Sequence, residues 1–313
     1  MNNNNINLEE LSFKNRPSWK FVNAYQEALM YCDRFGWYTA MDYKVKDDCL
    51  STRQIKAIFA GKYIPNKKTL LKMCIDMKLD IQHSYELLHT AGYTFASAIK
   101  QDVIVEHFIR NHCYDKETID YTLIRYFCSE LFDSYKNKKI DKEKLEDYIK
   151  LNYDPNYVAT STFNLPDGSL ETVEIGTPKY FKLIHVKGVK SFSDLVNETI
   201  EKRGLEDREV YKAALISRQL LYNIRYLEDY NPDFNTAVKI CFAFKLSYEE
   251  ALSWLETASY TLSKAKKKDL IISEALEDKC YDLDDVDNKI WKALHDIKYL
   301  LCEKKEKKMF IRS

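Results

Sequence analysis

The chain has 313 residues, 45% hydrophobic and 31% charged, with 48 basic and 48 acidic side chains giving a formal net charge of zero. That balance argues against a wholesale polyanion binder and leaves room only for local basic patches. With 7 glycines and 6 prolines among many Lys, Glu, Leu and Ile, the composition favours a mostly helical protein.

The chain opens on a polar stretch, and residues 1–18 read as a flexible terminus. From Trp19, Phe21, Val22, Tyr25, Leu29 and Cys32 recur at helical steps, so a first helix is expected there. Phe35-Gly36-Trp37 ends it, and residues 38–48 read as a short second helix. Ser51 caps a third, with Ile55, Ile58 and Phe59 on one face and Arg53, Gln54 and Lys56 elsewhere. Gly61 stops that helix. A fourth carries Leu70, Leu71, Met73, Cys74 and Met77, a fifth spans 81–90, and two more follow a turn at Tyr93–Ser97. The first helical unit is therefore expected over 19–128.

Residues 129–190 read as a linker: a charged helical segment at 141–150, then β-prone runs around Pro166-Asp167-Gly168, a hairpin signal. Residues 180–189 read as a third strand. The second unit, 191–300, opens with a helix from Ser191 to Gly204 and a second over 207–215. Ser217 caps its third. Residues 301–313 form a basic tail.

Residues 65–121 and 232–288 align without a gap, and about a third of the positions are identical. Pro65, Thr69, Cys74, Thr90, Ala91, Tyr93, Thr94, Asp102, Tyr114 and Asp115 face Pro232, Thr236, Cys241, Thr257, Ala258, Tyr260, Thr261, Asp269, Tyr281 and Asp282. Two copies are too few for a solenoid and indicate paired domains. Upstream, residues 51–59 face 217–224 with a small slip.

The eight cysteines form no C-x-x-C pair, which leaves zinc ribbons and thioredoxin-like chemistry without support and points to a reducing cytoplasm. His83, His89, His107 and His112 lack the spacing of a metal site on one helix face, and no cofactor is expected. No hydrolase elbow, phosphate loop or H-E-x-x-H is present, so the chain reads as non-enzymatic. Without a signal peptide or an 18-residue apolar run, no membrane is expected. Tyr114-Asp115 and Tyr281-Asp282 read as helix caps with a packed ring. The basic cluster at 264–269 reads first as a structural turn, since Lys100 and Asp102 recur in it, and second as a holder of phosphate or an acidic partner.

A Ser-capped third helix, a glycine or Asn-Pro loop and two apolar helices, followed by Ala91-Gly92-Tyr93 or Ala258-Ser259-Tyr260, resembles the Cro/repressor-type helix-turn-helix domain of the XRE superfamily. The resemblance covers about 35–127 and 191–296. It implies a mostly α fold: two such domains with a small β-hairpin insertion between them. It also implies that each third helix enters the DNA major groove. Carried over, the readers are Ser51, Thr52, Arg53, Gln54 and Lys56 in the first unit, with Lys62, Lys67 and Lys68 on phosphates. In the second they are Ser217, Arg218, Gln219, Tyr222 and Arg225. Arginine pairs bidentately with guanine and glutamine with adenine.

Two departures stand out. The glutamine that often opens the second helix in these repressors is absent from both copies. In the second unit Glu228, Asp229 and Asp233 replace the lysine-rich loop, which disfavours a DNA backbone there. The leading expectation is a DNA-binding regulator or accessory factor. The alternative is a protein–protein adaptor of a phage-defence, toxin or mobile-element complex. A third reading takes structured RNA or single-stranded DNA, stacked on the aromatic residues of 157–189.

Overall fold

A computed structural model describes residues 17–34, 49–126, 128–135, 160–164, 169–174, 177, 179–180, 188–227 and 230–294. The helices expected over 38–48 and 141–150, the Pro166-Asp167-Gly168 turn, most of the strand expected over 180–189, and the tail lie outside these residues, as do Glu228 and Asp229.

The described chain is mostly helical. Its first unit holds α1 (Trp19–Arg34), α2 (Thr52–Phe59), α3 (Lys67–Asp76), α4 (Ile81–Thr90), α5 (Lys100–Arg110) and α6 (Lys116–Arg125). Strands β1 (Thr160–Asn164) and β2 (Leu170–Glu174) pair antiparallel, Thr160 opposite Glu174 and Asn164 opposite Leu170. The second unit holds α7 (Phe192–Arg203), α8 (Asp207–Ala213), α9 (Arg218–Tyr226), α10 (Phe234–Ala243), α11 (Tyr248–Thr257), α12 (Lys267–Glu277) and α13 (Leu283–Leu294).

The sequence repeat becomes a repeat of local devices. Helices α3, α4 and α5 have 10, 10 and 11 residues, and so do α10, α11 and α12. Asn66 and Asp233 cap α3 and α10 by accepting the Thr69 and Thr236 amides. Lys78 and Lys245 close α3 and α10 at φ of 49° and 50°, the left-handed turn that satisfies a helix's last carbonyls. The Tyr114 hydroxyl donates to the Leu79 carbonyl at 2.9 Å, and Tyr281 repeats the bond to Leu246 at 3.0 Å. So each tyrosine fastens the start of the last helix to the loop after α3 or α10.

Each unit buries its own apolar cluster. Phe21, Tyr25, Ile58, Leu70, Met73 and Phe108 belong to the first, and Phe192, Leu221, Phe242, Phe244 and Leu255 to the second. Ala265, from the second unit, is buried in the first cluster. The first unit also runs past the boundary expected at 128. The buried Asp120 carboxylate accepts the amides of Leu131, Phe132 and Ser134 at 2.6–3.1 Å, folding residues 131–134 back over α6. The insertion touches the same unit, through an Arg125–Glu174 ion pair of 3.3 Å and the ring of Tyr180.

The two units meet about a local two-fold axis. Tyr93 and Tyr260, equivalent residues of the two copies, form an isolated antiparallel bridge. The Thr94 amide donates to the Ser259 carbonyl at 3.1 Å, and the equivalent Thr261 amide donates to Gly92 at 3.2 Å. Each bond becomes the other when the copies are exchanged, the geometry of a symmetric homodimer built within one chain. Gly92 and Ser259 adopt φ of 83° and 70°, left-handed values that let the backbones approach.

Candidate nucleic-acid interface

Helices α2 and α9, on which the expected readers sit, are set by their caps. At α2 the Ser51 hydroxyl accepts the Gln54 amide while the Gln54 side chain accepts the Ser51 amide, a reciprocal capping box. At α9 the Ser217 hydroxyl accepts the Leu220 amide at 3.1 Å. A short turn, residues 214–217 with Leu215 at φ 52°, leads into α9 from α8. Ile58 on α2 and Leu221 and Ile224 on α9 turn each helix's apolar side into its core.

An Arg-Gln pair stands near the start of both helices, Arg53-Gln54 and Arg218-Gln219, but the caps put the two pairs one residue out of step. With Ser51 and Ser217 as equivalent caps, Arg53 stands level with Gln219, and Gln54 stands level with Leu220. Gln54 is spent on the capping box and on a 3.3 Å bond to the Tyr63 hydroxyl, whereas Gln219 is exposed and bonds Asn223 at 2.9 Å.

The expected site residues divide accordingly. Ser51, Thr52, Arg53, Lys56, Lys62 and Lys68 are exposed in the first unit, as are Ser217, Arg218, Gln219 and Tyr222 in the second. Arg53, Lys56, Lys62 and Arg218 pair with no acid among the described residues, and Lys68 reaches only Asp133 at 4.0 Å. Gln54, Lys67 and Arg225 are held by the fold. The Lys67 ammonium lies 2.5 Å from the Asp102 carboxylate, and burial pulls it below the ordinary lysine value against the attraction of Asp102. The Arg225 guanidinium binds Asn197 Oδ1 at 2.8 Å and ion-pairs with Asp207, with its side chain 12% exposed.

The outer faces differ in kind. On α2 the exposed side chains are Thr52, Arg53, Lys56 and the edge of Phe59. On α9, Arg218 and Gln219 lead into Tyr222 and Tyr226, which are 55% and 56% exposed with rings 5.1 Å apart. Leu215 and Leu227 extend that apolar surface.

A second cluster was not foreseen from the residues. At the junction the buried Asp102 carboxylate accepts from Lys67, from the Ala96 amide at 2.8 Å, and from the Ser259 hydroxyl of the other unit. Its counterpart Asp269 accepts the Ser263 amide at 3.0 Å and lies among Lys266 and Lys268. The available signal was the dense identity of Thr90, Ala91, Tyr93, Thr94 and Asp102 with their counterparts, which marks the contact between copies.

Among the described residues no group of three or more His, Cys, Asp or Glu is placed to hold a metal ion, and no helix is long and apolar enough to cross a membrane. No family model, curated protein or solved structure matches the chain, so its own geometry alone points to a function.

Proposed function

We propose that the chain is a nucleic-acid-binding protein, a regulator or accessory factor in which two Cro/repressor-type helix-turn-helix units present α2 and α9 to duplex DNA. The observation that carries this reading is the exposed placement of Arg53 and Lys56 on one Ser-capped helix and of Arg218 on the other, none of them ion-paired among the described residues. Arginine's fork suits guanine, and the lysines suit phosphate. The local two-fold supports the same reading, because symmetric readers meet a duplex at half-sites related by its own dyad. Tethering in one chain adds the two weak contacts together.

Duplex binding measured against salt tests this. Each phosphate contact contributes a slope of about −0.9 to log K against log salt. Arg53→Glu and Arg218→Glu are expected to abolish binding while the protein stays folded. A salt-independent affinity, or full binding by both variants, sinks the reading.

A second reading rests on the exposed Tyr222 and Tyr226 of the second unit, the residue type that anchors protein interfaces, together with the exposed Leu215 and Leu227. Under it the second unit grips a protein while the first binds DNA. A stoichiometric partner that survives high salt and is lost with Tyr222→Ala favours this version.

A further inference from the structure

The junction between the units carries a cleft of about 860 Å³, a volume typical of small-molecule sites at domain boundaries. One wall is aromatic. The Tyr93 and Tyr260 rings lie 6.1 Å apart, and Phe234 meets Tyr260 edge-on at 5.6 Å. The other wall is the start of α12, where Lys266, Lys267 and Lys268 line the cleft beside Asp269, the one acid in its lining among the described residues. The Lys266 ammonium stands 4.9 Å from the Tyr93 ring centroid, and that of Lys268 stands 5.7 Å from the centroid of Phe234.

The repeat shows that the scaffold does not require this charge. Opposite Lys266 and Lys268 the first copy has Ile99 and Gln101, and opposite Phe234 it has Lys67. In that copy one lysine, Lys67, balances the equivalent carboxylate, Asp102. The second copy has moved the aromatic ring to the lysine's place and set two half-buried lysines around Asp269. Asp233, the other acid beside Phe234, accepts the Thr236 amide and hydroxyl as the cap of α10. Lys268 reaches the neutral Asn235 Oδ1 at 2.5 Å, and its charge also feels Asp233 and Asp287. Burial holds the Lys266 and Lys268 ammonium groups below the ordinary lysine value, an unfavourable state that an arriving anion relieves.

We propose that this cleft binds a phosphorylated small molecule bearing a planar ring, of mononucleotide size, with its phosphate on Lys266 and Lys268 and its ring against Tyr93, Tyr260 and Phe234. Gly61, just beyond α2, lines the same cleft, so the ligand also touches the end of that helix. The site stands whether or not α2 reads DNA.

Calorimetric titration of the full chain with adenosine, guanosine, cytidine and uridine 5′-monophosphates, with adenosine and inorganic phosphate as controls, tests it. At least one mononucleotide is expected to bind saturably, more tightly than either control. Lys266→Gln and Lys268→Gln are each expected to weaken it about tenfold or more, the loss of one charge-assisted bond. On the unaltered protein the same nucleotide should protect Lys266 and Lys268, but not exposed Lys264, from an amine-reactive reagent read by mass spectrometry. This readout holds even where a variant fails to fold. Absence of saturable binding by all four, or binding without protection, overturns the site. Equal affinity for inorganic phosphate overturns the assignment of the aromatic wall.

Discussion

Ser259→Ala removes the hydroxyl that one unit sends into the buried carboxylate of the other. A hydrogen bond to a charged group contributes about 1.5–3 kcal/mol, and here the Asp102 side chain is 3% exposed, so water does not replace the lost donor. Asp102→Ala is expected to lose more, about 3–5 kcal/mol, because it strands the Lys67 ammonium in a half-buried place. In that background the Ser259 hydroxyl has lost its acceptor, and Ser259→Ala should then cost less than about 0.5 kcal/mol. Urea unfolding followed by far-UV circular dichroism on all four proteins gives the coupling directly. A third substitution, Ser259→Gly, separates hydroxyl from backbone. Residue 259 sits at φ 70°, so glycine should recover about 1 kcal/mol relative to alanine. Equal losses from Ser259→Ala in both backgrounds would refute the idea that this bond joins the units.

Gly92→Ala places a Cβ 3.1 Å from Asp269 Oδ2 and 3.3 Å from Ser263 Cβ at φ 83°. Backbone strain alone predicts a loss of about 1–2 kcal/mol, seen as a lowered urea midpoint; an unchanged midpoint contradicts the close approach. Tyr114→Phe and Tyr281→Phe should each lose about 0.5–1.5 kcal/mol in the same assay, and a large loss from only one would show that the two fastenings are not equivalent. Burial lifts the Asp269 carboxyl to about 6 from its ordinary 3.8, against the pull of Lys266, the Ser263 amide and Lys268. The folded protein therefore holds this proton more tightly than the unfolded chain does. The resulting stabilisation is complete below 3.8 and is lost as pH rises through about 6. Asp269→Asn should flatten that part of the stability–pH curve, and a curve parallel to the parent's would show that another group is responsible.

The helices were legible because their signals are local. Ser51, Asp115, Ser191 and Ser217 all cap where the sequence placed a cap or a helix start, and Gly204 closes α7 at φ 60°. The repeat was legible for the same reason, since its loops keep their lengths. Which polar side chains the fold consumes was not legible. Nothing local distinguishes Gln54, locked in a capping box, from Gln219 one step earlier on its helix. Arg225 meets Asn197 and Asp207 only once α7 and α8 pack against α9. The junction lay further still from view, because Ser259 and Asp102 meet across the whole insertion. The cluster at 264–269 looked like a charged turn, and its aromatic wall adds Tyr93 from the other unit and Phe234 from α10 to the nearby Tyr260.

The bridge between Tyr93 and Tyr260 also sets how the molecule responds to dilution. A pair of separate subunits with this interface would fall apart as its concentration dropped, and its melting temperature would drift with amount. Here association is a first-order event, governed by the chain that joins the halves. Pairing therefore persists at a single copy per cell, and the midpoint of thermal unfolding should not change across a wide range of protein concentration.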